Sequence, residues 1–290
     1  RALRNRKGVS EELRQKILEE AKRSGYSIEA SNYEARVMRN RAVNVRPSSR
    51  VVCAIVNHED DSFGFGGRIL RGMNQEGAAT GNEIVAVTHM ANGMPLIVLR
   101  RQVDGYVRLL SDLQVDKTAA KSPVPWVSIL FGVPGVDLVT VDNTGGARAV
   151  ARHVLSLGHR RLSFIGPRNE LADERLAGLM SAAAEAGADL PGERIVTERF
   201  AASDAPTRCL LDQLIGDRRP LPFTALIAYN DYMAHLAIVY LREKGWRVPE
   251  DVGVAGFDGV LPSHVRENTV ITSAAVPLEA LGGAAIRLLA

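Results

Sequence analysis

From Val51 onward, short apolar runs alternate with longer stretches in which apolar residues recur every three or four positions. The runs Val51–Val56, Ile84–Val87, Gly105–Leu110, Trp126–Leu130 and Leu138–Val141 have the length of buried strands. A second set follows at Arg161–Gly166, Ile195–Phe200, Thr224–Ala228, Val252–Phe257 and Val270–Ser273. Helical stripes such as Ile69/Leu70/Met73 and Val150/Ala151/Val154/Leu155 separate most of them. Gly81, Gly158, Gly187 and Gly245 stand where helices need a left-handed terminal residue. Continuously apolar strands separated by helices predict α/β architecture, with parallel sheets covered on both faces. Two such sets predict two doubly wound lobes whose ligand lies in a cleft at the C-terminal ends of the strands.

Upstream of Val51 the pattern differs. Ser10 can cap a helix whose stripe is Leu13, Ile17, Leu18 and Ala21, stopped by Gly25. A second short helical stretch runs from Asn32 to Asn40. The segment Val43–Arg50, with Pro47, reads as a linker and is the best domain boundary in the chain. Charge divides at the same place. Residues 1–50 hold 13 Lys and Arg against 6 Asp and Glu, while the rest holds 23 against 27, so a net of +3 conceals a basic head on a mildly acidic body. A basic head of this kind is either a solvated face or a surface for a polyanion such as nucleic acid.

Several chemistries find no footing. No apolar run reaches the ~18 residues of a membrane span, and no signal-peptide pattern follows Arg1. Cys53 and Cys209 are too few and too far apart for a zinc site or disulfide framework, and read as buried, reduced thiols. Gly64-Phe65-Gly66-Gly67 lacks the third glycine of a dinucleotide loop, since position 69 is Ile, and there is no phosphate-loop motif. His58-Glu59-Asp60-Asp61 reads as a polar loop at the cleft edge rather than a metal site. No nucleophile–base template is present, so neither an enzyme nor a cofactor is expected.

Segments along the whole chain resemble, in order and spacing, the lactose-repressor (LacI/GalR) family of bacterial transcription regulators. Val9-Ser10, Arg14, Ile17, Ala21 and Gly25-Tyr26 are similar to the third helix of that family's helix-turn-helix headpiece, and Arg1-Ala2-Leu3 to the end of its recognition helix. Asn32-x-x-Ala35-Arg36-x-Met38-Arg39 resembles the hinge helix. In the body, the matching pieces include Val141-Asp142-Asn143-x-x-Gly146 and the run from His153 to Gly166. Arg175-Leu176-Ala177-Gly178, Asn230-Asp231-x-Met233-Ala234 and Gly256-Phe257-Asp258 complete the match. The chain departs from the pattern in four places. The link Tyr26–Asn32 is longer, Gly81–Gly105 is shorter, Gly64-Phe65-Gly66 replaces Pro-Phe-Phe, and Val276 replaces a Gln.

The resemblance implies a partial helix-turn-helix headpiece and hinge at residues 1–46, with the rest of the recognition helix upstream of Arg1. It implies an effector-binding and dimerisation domain at 50–290, periplasmic-binding-protein-like in fold. Lobe 1 is about 50–142 plus 277–290, and lobe 2 about 143–276. On this reading the protein is a cytoplasmic, homodimeric repressor that binds double-stranded operator DNA and responds by allostery to a small-molecule effector, a sugar or related metabolite. Arg1, Lys7, Ala35, Arg36, Met38 and Arg39 are expected to meet DNA, Met38 as a minor-groove wedge. Phe65, Arg175, Phe200, Asn230 and Asp258 are expected to hold the effector. For Arg175, standing after two acidic residues, the plain alternative is a surface arginine; for Asn230 or Asp231, it is a helix cap. If Arg175 contacts the effector, its removal is expected to cost ligand affinity with little loss of fold stability. The alternative for the whole chain is a periplasmic-type sugar-binding protein of a transport system.

Overall fold

The computed structural model describes residues 49–57, 62–89, 95–109, 124–199, 204–260 and 270–289. The chain divides between Ser48 and Ser49 into two units, of which only the second falls among these residues. The expected headpiece and hinge therefore lie outside them, as does the loop His58–Asp61.

The body is two parallel five-stranded sheets flanked by helices. The first contains β1 (Val51–Asn57), β2 (Glu83–His89), β3 (Gly105–Arg108), β4 (Trp126–Ile129) and β5 (Asp137–Val139), in the order β2-β1-β3-β4-β5. Its helices are α1 (Gly67–Thr80) and the single turn α2 (Leu96–Leu99). The chain then crosses to α3 (Asn143–Ser156), β6 (Leu162–Pro167), α4 (Glu170–Glu185), β7 (Ile195–Glu198) and α5 (Asp204–Leu214). Next come β8 (Ala225–Ala228), α6 (Asp231–Glu243), β9 (Gly253–Asp258) and β10 (Thr272–Ala275). The second sheet has the order β10-β9-β8-β6-β7. After β10 the chain returns to the first sheet, where α7 (Leu278–Leu289) packs on α1.

All ten strands form where the apolar runs predict them, with small end shifts: β5 stops at Val139 rather than Val141. The central strands β4, β6 and β8 are buried at every position, which is why they read as unbroken apolar runs. Gly81, Gly158, Gly187 and Gly245 all have positive φ, from 59° to 94°. One expectation fails. Cys53 is buried in β1, but Cys209 on α5 is exposed, because the buried face of that helix is formed by Leu210, Leu211 and Leu214.

Helix packing is closer than the apolar stripes alone would give. A Cβ at Gly72 of α1 would stand 1.9 Å from the carbonyl oxygen of Glu279, and one at Gly282 of α7 would stand 2.0 Å from that of Ile69. In the second lobe a Cβ at Gly178 of α4 would stand 2.1 Å from the carbonyl oxygen of Thr144 in α3. Each of these helix pairs meets backbone to backbone. Around them, each fully buried side chain such as Met73, Leu179 or Phe164 contributes about 1.5–3 kcal/mol. Glu185 also pairs with Arg148 and Arg152 across α3 and α4, but that pair is exposed and screened, so the apolar contact decides the packing.

One apolar cluster spans both lobes. Leu171 and Phe257 of the second lobe share it with Ile69, Val107 and Ile129 of the first, and Phe65, Phe131 and Tyr229 pack against its margin. Phe65 lies in a π-helical turn, Ser62–Gly66, that leads into α1.

Candidate functional site

The C-terminal ends of β6, β8 and β9 converge on one polar cluster, and local sequence explains how each member reaches it. Asn169 has an extended backbone and caps α4, accepting from the Ala172 N–H at 2.9 Å. Arg175 then stands on the second turn of α4 and reaches inward. Asp142 caps α3 through the Gly145 N–H at 2.7 Å, which sets Asn143 as the first residue of that helix, buried to 1% exposure. Asp258 ends β9 with a φ of 105°, a left-handed conformation that costs energy in a residue with a side chain.

Arg175 is not a surface residue: its side chain is 4% exposed. Nε donates to Asn143 Oδ1 at 3.0 Å, and Nη1 donates to the Tyr229 carbonyl at 2.7 Å. Nη2 lies 3.2 Å from Asp258 Oδ1, within ion-pair range although the angle falls outside hydrogen-bond geometry. The guanidinium also sits between two aromatic rings, 3.8 Å from the Phe257 centroid and 4.5 Å from that of Tyr229. Asn143 passes the network on, its Nδ2 donating to Glu174 Oε2 at 2.8 Å.

Asp258 faces this guanidinium, and a second buried carboxylate, Asp231, feels its charge. Burial pushes the Asp258 carboxyl up to about 7; Arg175 pulls it down, and the charge of Asp231 adds to the upward push. Burial likewise raises Asp231 to about 6, against the Ser273 hydroxyl, the N–H groups of Val260 and Gly259, and Arg175. Asp231 Oδ2 accepts from the Val260 N–H at 2.9 Å, which pins the chain just after β9. Its Oδ1 lies against Gly256, where a Cβ would stand 2.4 Å away. Only a glycine at 256 leaves room for that carboxylate.

Of the expected effector residues, Arg175 and Asp258 are brought together directly. Asn230 lies in sequence between Tyr229 and Asp231, two members of the cluster, but its side chain caps α6, Oδ1 accepting from the Met233 N–H at 2.9 Å. Asn230→Ala is expected to lower stability by about 1 kcal/mol in chemical denaturation, the cost of an unmade cap. A loss below a few tenths would mean the cap is not what holds Asn230. Phe65 reaches the margin of the cluster that contains Phe257. Phe200 lies outside the described residues, as do Arg1, Lys7, Ala35, Arg36, Met38 and Arg39.

Four members of the cluster have no site role in the sequence reading: Asn143, Tyr229, Asp231 and Phe257. The signal for Asp231 was present in Asn230-Asp231. Both can cap a helix, only one does, and the other is left with a charge to place.

A separate cavity of about 370 Å³ opens between the two crossovers. Val139, Val141, Ala274, Val276 and Leu281 line it, together with the Phe257 ring that carries Arg175 on its face. Its lining is mainly apolar, and its one carboxylate, Asp142, is committed to capping α3.

Comparison with known proteins gives a consistent picture. A family model described as a periplasmic binding protein-like domain matches residues 151–290. The transcriptional regulator CelR of Thermobifida fusca is 35% identical over 198 residues, 65% of this chain and 56% of that protein. The transcriptional repressor PurR of Haemophilus influenzae is 26% identical over 268 residues, 88% of this chain and 75% of that protein. The chain spans about half the length of several curated relatives it matches, 56% of CelR and of the regulator DegA of Bacillus subtilis. A solved structure of a CelR–cellobiose complex superposes with a TM-score of 0.67 at 26% identity, covering 100% of this chain and 86% of that one. A LacI-family regulatory protein from Chloroflexus aggregans shares the fold, with a TM-score of 0.68 at 21% identity over 83% and 89% of the two chains. The curated relatives are helix-turn-helix regulators of the LacI/GalR type, and the fold is periplasmic-binding-protein-like.

Proposed function

We infer that this chain, a relative of the LacI/GalR regulators with their two-lobed fold, serves a DNA-binding transcriptional repressor controlled by a small effector between its lobes. The effector is a sugar or similar polyhydroxylated molecule. The observation that carries this reading is the buried Arg175–Asp258 pair at the C-terminal ends of the second-lobe strands, where doubly wound folds hold ligands. The CelR relative with cellobiose supports the ligand class. The protein is a sensor without catalytic activity, and its relatives are regulators rather than enzymes or transport components.

On this reading residues 1–46 form the DNA-binding headpiece and hinge, and 50–290 the effector and dimerisation domain. Arg1, Lys7, Arg36 and Arg39 neutralise phosphates. Ala35 lets the hinge approach the minor groove, and Met38 enters it as an apolar wedge. Phe65 and Phe200 pack on the effector, while Arg175, Asn230 and Asp258 bind its polar groups. The protein acts as a homodimer in the cytoplasm. No helix among the described residues is long and apolar enough to cross a membrane. Effector control requires that the ligand bind one lobe arrangement more tightly than the other.

Calorimetric titration with a panel of neutral sugars, cellobiose first, tests the pocket. Saturable binding of at least one sugar is expected, weakened about tenfold or more in Asp258→Asn, the loss of a hydrogen bond to a charged group. Binding that Asp258→Asn leaves unchanged would remove Asp258 from the site. Fluorescence anisotropy on palindromic DNA tests the other half: affinity is expected to fall steeply with salt and to change when the bound sugar is added.

A further inference from the structure

The segment Val43–Arg50 reads as a linker, yet its last two residues belong to the body, since the two units divide between Ser48 and Ser49. One side chain holds them there. Asp104, the residue before β3, accepts the Ser49 N–H on Oδ1 at 2.9 Å and the Arg50 N–H on Oδ2 at 2.7 Å. Its own N–H donates to the Val51 carbonyl at 2.8 Å, which laces the starts of β1 and β3 together. The Arg50 carbonyl in turn accepts from the Glu83 N–H, at the start of β2, at 2.6 Å.

The backbone is strained to make this clamp. Arg50 has a φ of 54°, a left-handed conformation that persists in a residue with a side chain only where its surroundings over-determine it. A left-handed residue lets successive N–H groups converge on one anion, and here the anion is the protein's own carboxylate. Ser49 and Arg50 are exposed, so water competes for their N–H groups, and the charge on the acceptor strengthens both bonds. The Arg50 side chain lies over the C-terminal end of α1, where a Cβ on Gly81 would stand 3.3 Å from Nη1. A cation is favoured at a helix C-terminus. Every one of these partners belongs to the first lobe.

We propose that Asp104 is a positioning residue for the DNA-binding half of the protein: its carboxylate fixes where and in which direction the chain leaves the first lobe, so that a change in lobe arrangement reaches residues 1–48 instead of being absorbed by the linker. The proposal rests on the reading of residues 1–46 as the DNA-binding headpiece and hinge given above. Asp104 acts through the backbone of Ser49 and Arg50. It stands at the N-terminal ends of the strands, the opposite end of the sheet from the ligand edge. Without the clamp two residues join the linker and add up to about 7 Å of slack. A two-fold dimer on a palindrome needs its two heads at a fixed spacing, and slack lowers the effective concentration of the second head once the first is bound.

Two substitutions grade the clamp. Asp104→Asn keeps one oxygen that can accept, and Asp104→Ala keeps none. Hydrogen exchange followed by NMR on the 290-residue chain reads the clamp without any ligand. The Ser49 and Arg50 amides are expected to exchange about tenfold or more faster in Asp104→Ala and by a smaller factor in Asp104→Asn. Core amides such as Ala54 and Val107 are expected to keep their wild-type rates. Trypsin cleavage at Arg50–Val51, recognised by a product that begins at Val51, is expected to rise in the same order. Unchanged exchange at Ser49 and Arg50 overturns the clamp, and an even loss of protection through the body reduces Asp104 to a stabiliser of the fold and overturns the positioning role. If Asp104→Ala fails to fold, Asp104→Asn decides by the same two readings.

Fluorescence anisotropy supplies the second arm, with a palindromic duplex that wild type binds and a duplex carrying half of it. Asp104→Ala is expected to weaken binding to the palindrome about tenfold and to leave the half-site unchanged, because only the paired heads depend on the clamp. Cellobiose affinity in calorimetry is expected to stay at its wild-type value, while the effect of cellobiose on palindrome binding shrinks. Equal losses on both duplexes, or none, overturn the positioning role. Failure of wild type to bind any palindrome counts against the DNA-binding reading, and the exchange rates still decide whether Asp104 anchors the chain.

Discussion

Replacing Arg175 with alanine is expected to cost about 3–5 kcal/mol of folding stability at pH 8, and clearly less at pH 5. The guanidinium is buried at 4% exposure, stacked between Phe257 and Tyr229, and faces Asp258. Its removal leaves two buried carboxylates without their cation, together with the Asn143 Oδ1 and Tyr229 carbonyl that it satisfies. At pH 5 both acids can take up protons, and a neutral buried acid costs far less than a charged one. This reverses the expectation from sequence, in which Arg175 could be removed with little effect on the fold. Urea denaturation at the two pH values checks it. A loss below 1 kcal/mol at pH 8, or a larger loss at pH 5 than at pH 8, would show that the cluster does not carry buried charge in this way.

The same helix supports a second large effect. Gly178→Ala is expected to destabilise the protein by about 3 kcal/mol, because the new methyl group would stand 2.1 Å from the Thr144 carbonyl oxygen. On helix propensity alone the substitution would stabilise by about 1 kcal/mol, so the two effects have opposite signs and the measurement decides between them. The obstacle is backbone rather than a movable side chain, so α3 and α4 must separate as units. Arg175 lies one turn earlier on α4 and would move with it, so a loss of sugar affinity is expected to accompany the loss of stability. A Gly178→Ala protein as stable as wild type would show that the helices can part cheaply.

Much of the architecture is carried by local pattern. Strands β4, β6 and β8 are buried on both faces, so their apolar runs are unbroken and visible in sequence. The helix ends at Gly81, Gly158, Gly187 and Gly245 are equally visible, since a left-handed residue is needed there and glycine takes it without strain. Asp258 could be placed at the end of a strand, and therefore at the cleft, because in parallel α/β sheets the strand ends define the ligand edge.

What sequence order cannot express is which distant groups share one charge. Arg175 follows two acidic residues in the chain, yet its partners are Asn143, Tyr229 and Asp258, as many as 83 positions away. Asn230 and Asp231 were interchangeable as caps on paper. Tertiary structure separated them by giving the helix end to Asn230, while Asp231 entered a space that exists only because residue 256 has no side chain. Cys209 looked like a core thiol until the leucines beside it fixed which face of α5 is inward. Elements are set by neighbours a few residues apart, so the sequence by itself determined two doubly wound lobes and the strand end at which Asp258 stands. The charge balance of the site depends on burial and on contacts between elements, and only the packed structure decided it.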